Sequence, residues 1–115
     1  MSQELPYSPA YEVNGRLYVS GQLPLDDNGQ IPESITEQTR LCLERIEAIL
    51  KDNGFTMDEV AKTSVFMTDF AHFGEMNEEY VKHFGPKKPA RVACQVSALA
   101  RGANVEIDCF AEHVK

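Results

Sequence analysis

Ser34-Ile35-Thr36-Glu37-Gln38-Thr39-Arg40-Leu41-Cys42-Leu43-Glu44-Arg45-Ile46-Glu47-Ala48-Ile49-Leu50-Lys51-Asp52-Asn53-Gly54 reads as one amphipathic helix, and everything else in the chain is arranged around it. Apolar or small residues recur at Thr39, Cys42, Leu43, Ile46, Ile49 and Leu50, the 3.6-residue period of a single buried face. Ser34 and Glu37 have capping-box spacing, and Gly54 stands where a glycine ends a helix.

Upstream, Val13-Asn14-Gly15-Arg16 predicts a hairpin, because Asn-Gly accepts the positive φ angles of a tight turn. Its strands cover roughly residues 9–13 and 16–21, and Leu23–Gly29 is a loop. Downstream, Phe55–Glu59 makes a connecting turn. Residues 60–68, rich in β-branched and aromatic side chains, form a strand. A second helix runs from about 73 to 84, with Phe73, Met76, Tyr80, Val81 and Phe84 as its buried stripe. Gly85-Pro86 and Pro89 stop it. Two strands close the chain, Arg91–Ala98 and Val105–His113, joined by a turn at Arg101–Asn104 and expected to pair as an antiparallel hairpin. Val92, Cys94, Val96 and Ala98 are assigned to the core face of the first. Val105, Ile107, Cys109 and Ala111 are assigned to that of the second.

The order ββ-α-β-α-ββ predicts an α+β sandwich, one domain over residues 1–115, with two helices on one face of a mixed sheet. The other face would carry Arg91, Gln95, Glu106 and Asp108 beside Phe110. It is either wet or buried against further subunits. A chain of 115 residues supports one core but not a deep private cleft as well.

Eighteen acidic against eleven basic residues give a net charge of −7, which repels a phosphate backbone. Lys87-Lys88 with Arg91 is too short for a nucleic-acid footprint, so no nucleic-acid partner is expected. No apolar run approaches membrane-spanning length, so no membrane partner is expected either. Three cysteines without a CxxC pair, and first residues unlike a targeting segment, point to reduced thiols and a cytoplasmic location. His72, His83 and His113 have no metal spacing and read as surface residues. Cys42, Cys94 and Cys109 read as packing residues, as do Met57, Met67 and Met76.

Three places have chemical promise. Arg91 starts a strand behind Pro89-Ala90, where a guanidinium can grip a carboxylate through two parallel hydrogen bonds. Glu106 lies on the polar face of the last strand, where a carboxylate can orient or deprotonate water. The expected hairpin would let it share a site with Arg91. Tyr7-Ser8-Pro9 and Ser20-Gly21-Gln22 allow close backbone approach. Taken singly, Arg91 is more simply a surface arginine and Glu106 a solvated carboxylate, and Ser20-Gly21 is as readily an ordinary bulge.

Several segments, in order, are similar to the RidA (reactive intermediate deaminase, formerly YjgF) family. They are Arg16-Leu17-Tyr18-Val19-Ser20-Gly21-Gln22-Leu23-Pro24-Leu25-Asp26, Val60–Asp69, Met76-Asn77-Glu78-Glu79-Tyr80 with Phe84, Pro89-Ala90-Arg91, and Val105-Glu106-Ile107-Asp108. The resemblance spans nearly the whole chain, and the set is specific where each motif alone is weak. It implies a chorismate-mutase-like fold of the bacillus type, whose three subunits form a homotrimeric barrel with active sites in the clefts between neighbours. It implies hydrolysis of 2-aminoacrylate and related 2-imino acids to 2-keto acids and ammonia, without metal or cofactor.

By the same resemblance Arg91 binds the substrate carboxylate and Glu106 positions the attacking water. Tyr7 and Ser20 line the pocket, Gly21 offers a backbone contact, the Ala93 carbonyl helps hold the water, and Asn77 and Phe84 lie near the cleft. The chain departs from the family pattern at Leu5 before Pro6-Tyr7, at Pro9, at Val92 and at Leu99-Ala100-Arg101. These changes leave the arginine and the acid in place but open the question of substrate range. Two other readings compete: a non-catalytic trimer that binds small carboxylates or acts as a chaperone, and a ribonuclease or translation inhibitor, which the acidic charge disfavours.

Overall fold

A computed structural model describes residues 4–114. Five strands, β1 (Ala10–Val13), β2 (Arg16–Gln22), β3 (Val60–Met67), β4 (Ala90–Gln95) and β5 (Val105–Glu112), form one mixed sheet in the order β1-β2-β5-β3-β4. Two helices, α1 (Ile35–Asp52) and α2 (Phe73–Tyr80), are joined to them by short loops and 3-10 turns. Asn14 (φ 51) and Gly15 (φ 79) supply the left-handed pair that the β1–β2 turn requires.

Helix α1 starts where expected. The Ser34 hydroxyl accepts the Glu37 N–H at 3.1 Å. The Glu37 carboxylate does not return the bond. It pairs with Arg40 instead, so only half of the capping box forms. The helix buries Ile35, Gln38, Thr39, Cys42, Leu43, Ile46 and Leu50 against β2, β5 and α2, while Ile49 sits at the rim. Leu17, Val65, Met67, Val105, Ile107 and Ala111 meet them from the sheet, every one fully enclosed. Each large apolar side chain buried here contributes about 1.5–3 kcal/mol.

The end of the chain departs from expectation. β4 and β5 do not form a hairpin. β3 lies between them, parallel to β4 (Thr63 opposite Arg91) and antiparallel to β5 (Phe66 opposite Glu106). β4 is therefore the sheet edge, and it ends at Gln95 rather than Ala98. Its faces are reversed as well. Arg91, Ala93 and Gln95 stand on the helix side with Thr63, Val65 and Met67, whereas Val92 and the exposed Cys94 lie on the open side.

The physical reason is α2. It roofs this edge with aromatic rings and polar groups that accept an arginine, so polarity does not force Arg91 outward. Helix α2 is also shorter than its apolar period suggests, giving way to a 3-10 turn at Val81–His83. Glu79 takes the buried place assigned to Val81, and His83 is part-buried because it bonds Glu79 at 2.8 Å.

Candidate functional site

Arg91 is held by α2. Its guanidinium carbon lies 5.0 Å from the Tyr80 ring centre and 5.4 Å from that of Phe73, within cation–π range of both. Its Nη1 donates to Asn77 Oδ1 at 2.7 Å. Tyr80 is in turn fixed by a 2.6 Å bond between its hydroxyl and that of Thr63, buried beneath the helix. Burial raises the Tyr80 phenol, with the Thr63 bond and the Arg91 charge acting against it, and the group stays a neutral hydroxyl. Among the described residues Arg91 forms no salt bridge. A cavity of about 320 Å³ opens in front of it, walled by Asn77, Tyr80, Val81, Lys88 and Pro89. The arrangement presents a stacked, oriented cation without an anion, which suits a planar carboxylate.

Glu106 belongs to a different cavity. About 370 Å³ is enclosed by Tyr7, Ser20, Gly21, Leu23, Ala100 and Glu106. The pairing of β2 with β5 shifts register between Val19 and Gln22, and Gly21 sits in that bulge. A Cβ built on Gly21 would lie 3.1 Å from the Glu106 carboxyl carbon and closer still to an oxygen, so only glycine lets the carboxylate rest over the strand. Ser20 ties down the N-terminal segment. Its hydroxyl donates to the Ser8 carbonyl at 2.6 Å and its N–H to the Pro9 carbonyl at 3.0 Å, which sets Tyr7 at the mouth. Partial burial, with the Asp108 charge next in weight, holds the Glu106 carboxyl above the ordinary carboxylate value.

Six of the eight residues singled out from the sequence thus gather in two groups, Tyr7, Ser20, Gly21 and Glu106 in one, Asn77 and Arg91 in the other. Ala93 packs against the core from the helix side. Phe84 backs Tyr80, their ring centres 4.9 Å apart, and walls neither cavity. The two groups do not meet within one chain. Thr63 and Phe66, the β3 partners of Arg91 and Glu106, are three positions apart, so the two side chains leave opposite faces of the sheet.

Sequence reasoning missed Tyr80 as more than a core residue, and it missed Thr63 and Lys88. The Asn77–Tyr80 spacing, which puts both on one turn of helix, was the available signal for Tyr80. The open sheet face, on the Glu106 side, carries exposed Tyr11 and Tyr18, the latter against Phe110 at 5.6 Å, around a groove of about 470 Å³ that also holds Lys62 and Asp108.

The two buried thiols offer no alternative centre. Burial pushes Cys42 far above the ordinary thiol value and Cys109 up to about 12. Among the described residues no three His, Cys, Asp or Glu side chains converge as a metal cage would. Among the described residues no helix is long and apolar enough to cross a membrane.

The family model described as Endoribonuclease L-PSP matches residues 1–113. A RutC family protein of Pyrococcus horikoshii is 42% identical over 108 residues, 92% of this chain and 86% of that protein. A 2-iminobutanoate/2-iminopropanoate deaminase of Mus musculus is also 42% identical over 108 residues, 92% of this chain and 80% of that protein. The crystal structure of RidA from an Antarctic Psychrobacter superposes with a TM-score of 0.91 at 34% identity, covering 97% of this chain and 91% of that one. With nearly all its length matched at each level, the chain belongs to the Endoribonuclease L-PSP family, the family of RidA and YjgF.

Proposed function

We propose that this protein hydrolyses 2-imino acids, including the imine tautomer of 2-aminoacrylate, to 2-keto acids and ammonia, in clefts that two copies of the chain build together in a chorismate-mutase-like trimer. The observation that carries this reading is the Arg91 guanidinium, in no salt bridge among the described residues, stacked on Tyr80, bonded to Asn77 and open to a cavity. The likeness to the mouse deaminase supports the choice of reaction.

The chemistry follows from the two half-sites. Protonation of the enamine carbon, with loss of a proton from its nitrogen, gives the imine. Arg91 of one copy fixes its carboxylate, which presents the imine carbon to a water held by Glu106 of a neighbour. The water oxygen bonds that carbon while Glu106 takes a proton from it, and the nitrogen accepts a proton in turn. The carbinolamine's hydroxyl then gives up its proton, by way of Glu106, to the nitrogen as the carbon–nitrogen bond breaks, so that ammonia leaves and the keto acid remains. Elevation of the Glu106 carboxyl above the ordinary carboxylate value, caused by partial burial, suits a group that must both take and return a proton. Because Arg91 and Glu106 leave opposite faces of the sheet, a site using both needs a second copy. The aromatic open face, with Tyr11, Tyr18 and Phe110, gives such a copy something to cover.

The test is ammonia release from 2-aminoacrylate generated in situ. Arg91→Ala should lower kcat/KM about a thousandfold, as when one partner of a desolvated charge pair is removed, without altering the oligomer. Retained activity would remove Arg91 from its role. The placement of Arg91 also fits a simpler carboxylate-binding protein with no reaction at all. In that case Glu106→Gln would change nothing.

A further inference from the structure

Resting on the deaminase reading above, we infer that the cleft is built for 2-imino acids bearing a second carboxylate, with Lys88 as the cation for it. The cavity in front of Arg91 has Lys88 in its wall and no carboxylate. That is unusual for a chain of net charge −7, in which acidic groups outnumber basic ones. Among the described residues neither Lys88 nor Arg91 is in a salt bridge. The Lys88 ammonium donates to the Gly85 carbonyl at 2.5 Å, a bond that parks the side chain beside the cavity and leaves two N–H groups free.

The half-site proposed to face this one contributes a single carboxylate, Glu106, which is assigned to the water. The joined cleft therefore holds two cations for one carboxylate. A 2-imino acid with one carboxylate leaves one of those cations unmatched, whereas a dicarboxylate matches both. Lys88 and Arg91 are three residues apart, and their backbones can be separated by about 10 Å at most. Two long side chains bring that span within reach of a short dicarboxylate. Val81, Pro89 and the Lys88 stem supply the apolar wall for its methylenes.

The experiment measures calorimetric affinity of the intact protein for 2-oxoglutarate and for 2-oxobutanoate, and turnover of the corresponding imines generated in situ by an amino-acid oxidase. Wild type should bind the dicarboxylate about fivefold more tightly, the scale of one partly exposed ion pair. That ratio should collapse toward one in Lys88→Met, persist in Lys88→Arg, and shrink at high salt. Equal affinities in wild type would overturn the inference. So would equal weakening of both ligands by Lys88→Met, because that would make Lys88 a general attractor of anions. A Lys88-dependent preference in binding without ammonia release from either imine would sink the deaminase reading and leave the ligand class standing. Turnover of both imines without preference would do the reverse.

Discussion

The cavity at Arg91 is shaped mainly by side chains, and the one at Glu106 owes its room to the backbone. Around Arg91, two aromatic faces, an amide and a buried Tyr80–Thr63 hydrogen bond hold one guanidinium flat. Around Glu106, a strand bulge, a glycine without a side chain and an N-terminal segment hung on Ser20 leave room for a carboxylate. The first arrangement restricts a flexible cation and thereby reduces what ligand binding must spend on ordering it. The second leaves a carboxylate partly buried beside Asp108, where its proton affinity rises. One cavity is thus suited to holding an anion still and the other to moving a proton.

If that division holds, Glu106→Gln should be the most damaging change to turnover. It should lower kcat by about 10²–10⁴-fold, the usual contribution of a positioned acid–base group. Keto-acid affinity measured by calorimetry should stay close to that of wild type. Comparable losses of affinity and turnover would blur the two halves into one binding surface.

Asn77→Ala should have a smaller effect of the opposite kind. It frees the guanidinium from a hydrogen bond to a charged group, worth about 1.5–3 kcal/mol, so KM should rise more than kcat falls. A pure kcat effect in steady-state kinetics would contradict the anion-holding role.

The mildest test is the pH profile. The Glu106 carboxyl sits above the ordinary 4.5, so the acid limb of kcat/KM should fall off above that value, and Glu106→Gln should abolish the limb. The sign for stability is the reverse. The folded state binds the proton more tightly than the unfolded one, so Glu106 favours folding below 4.5 and loses that effect as pH rises through its elevated pKa. Chemical denaturation of wild type and Glu106→Gln across that window checks the direction.

The same contrast accounts for what was legible in the sequence. Periodicity exposed α1, because Cys42, Leu43, Ile46 and Leu50 report one uniform apolar surface. The β1–β2 hairpin was legible because Asn14-Gly15 encodes a local backbone geometry. β4 was misread because apolar alternation assumes that the inner face is apolar. Here Arg91 is on the inner side, accepted by Phe73, Tyr80 and Asn77, while Val92 and Cys94 face outward.

The insertion of β3 between β4 and β5 was beyond reach, since strand order is a long-range property that neither strand encodes by itself. Residue chemistry singled out Arg91, Glu106, Ser20 and Gly21, and resemblance to a family gave them roles. It did not reveal that two of them leave opposite faces of the sheet, nor that Tyr80 and Thr63 stand behind the arginine.

The account depends on a site completed by two copies, and mixing inactive variants tests that most directly. Arg91→Ala and Glu106→Gln chains, co-expressed in equal amounts and confirmed by mass spectrometry to share trimers, should regain about a quarter of wild-type deaminase activity, since each cleft draws one residue from either of two randomly chosen neighbours. Mixed trimers as inactive as their parents would contradict the account and return both residues to a single chain's surface.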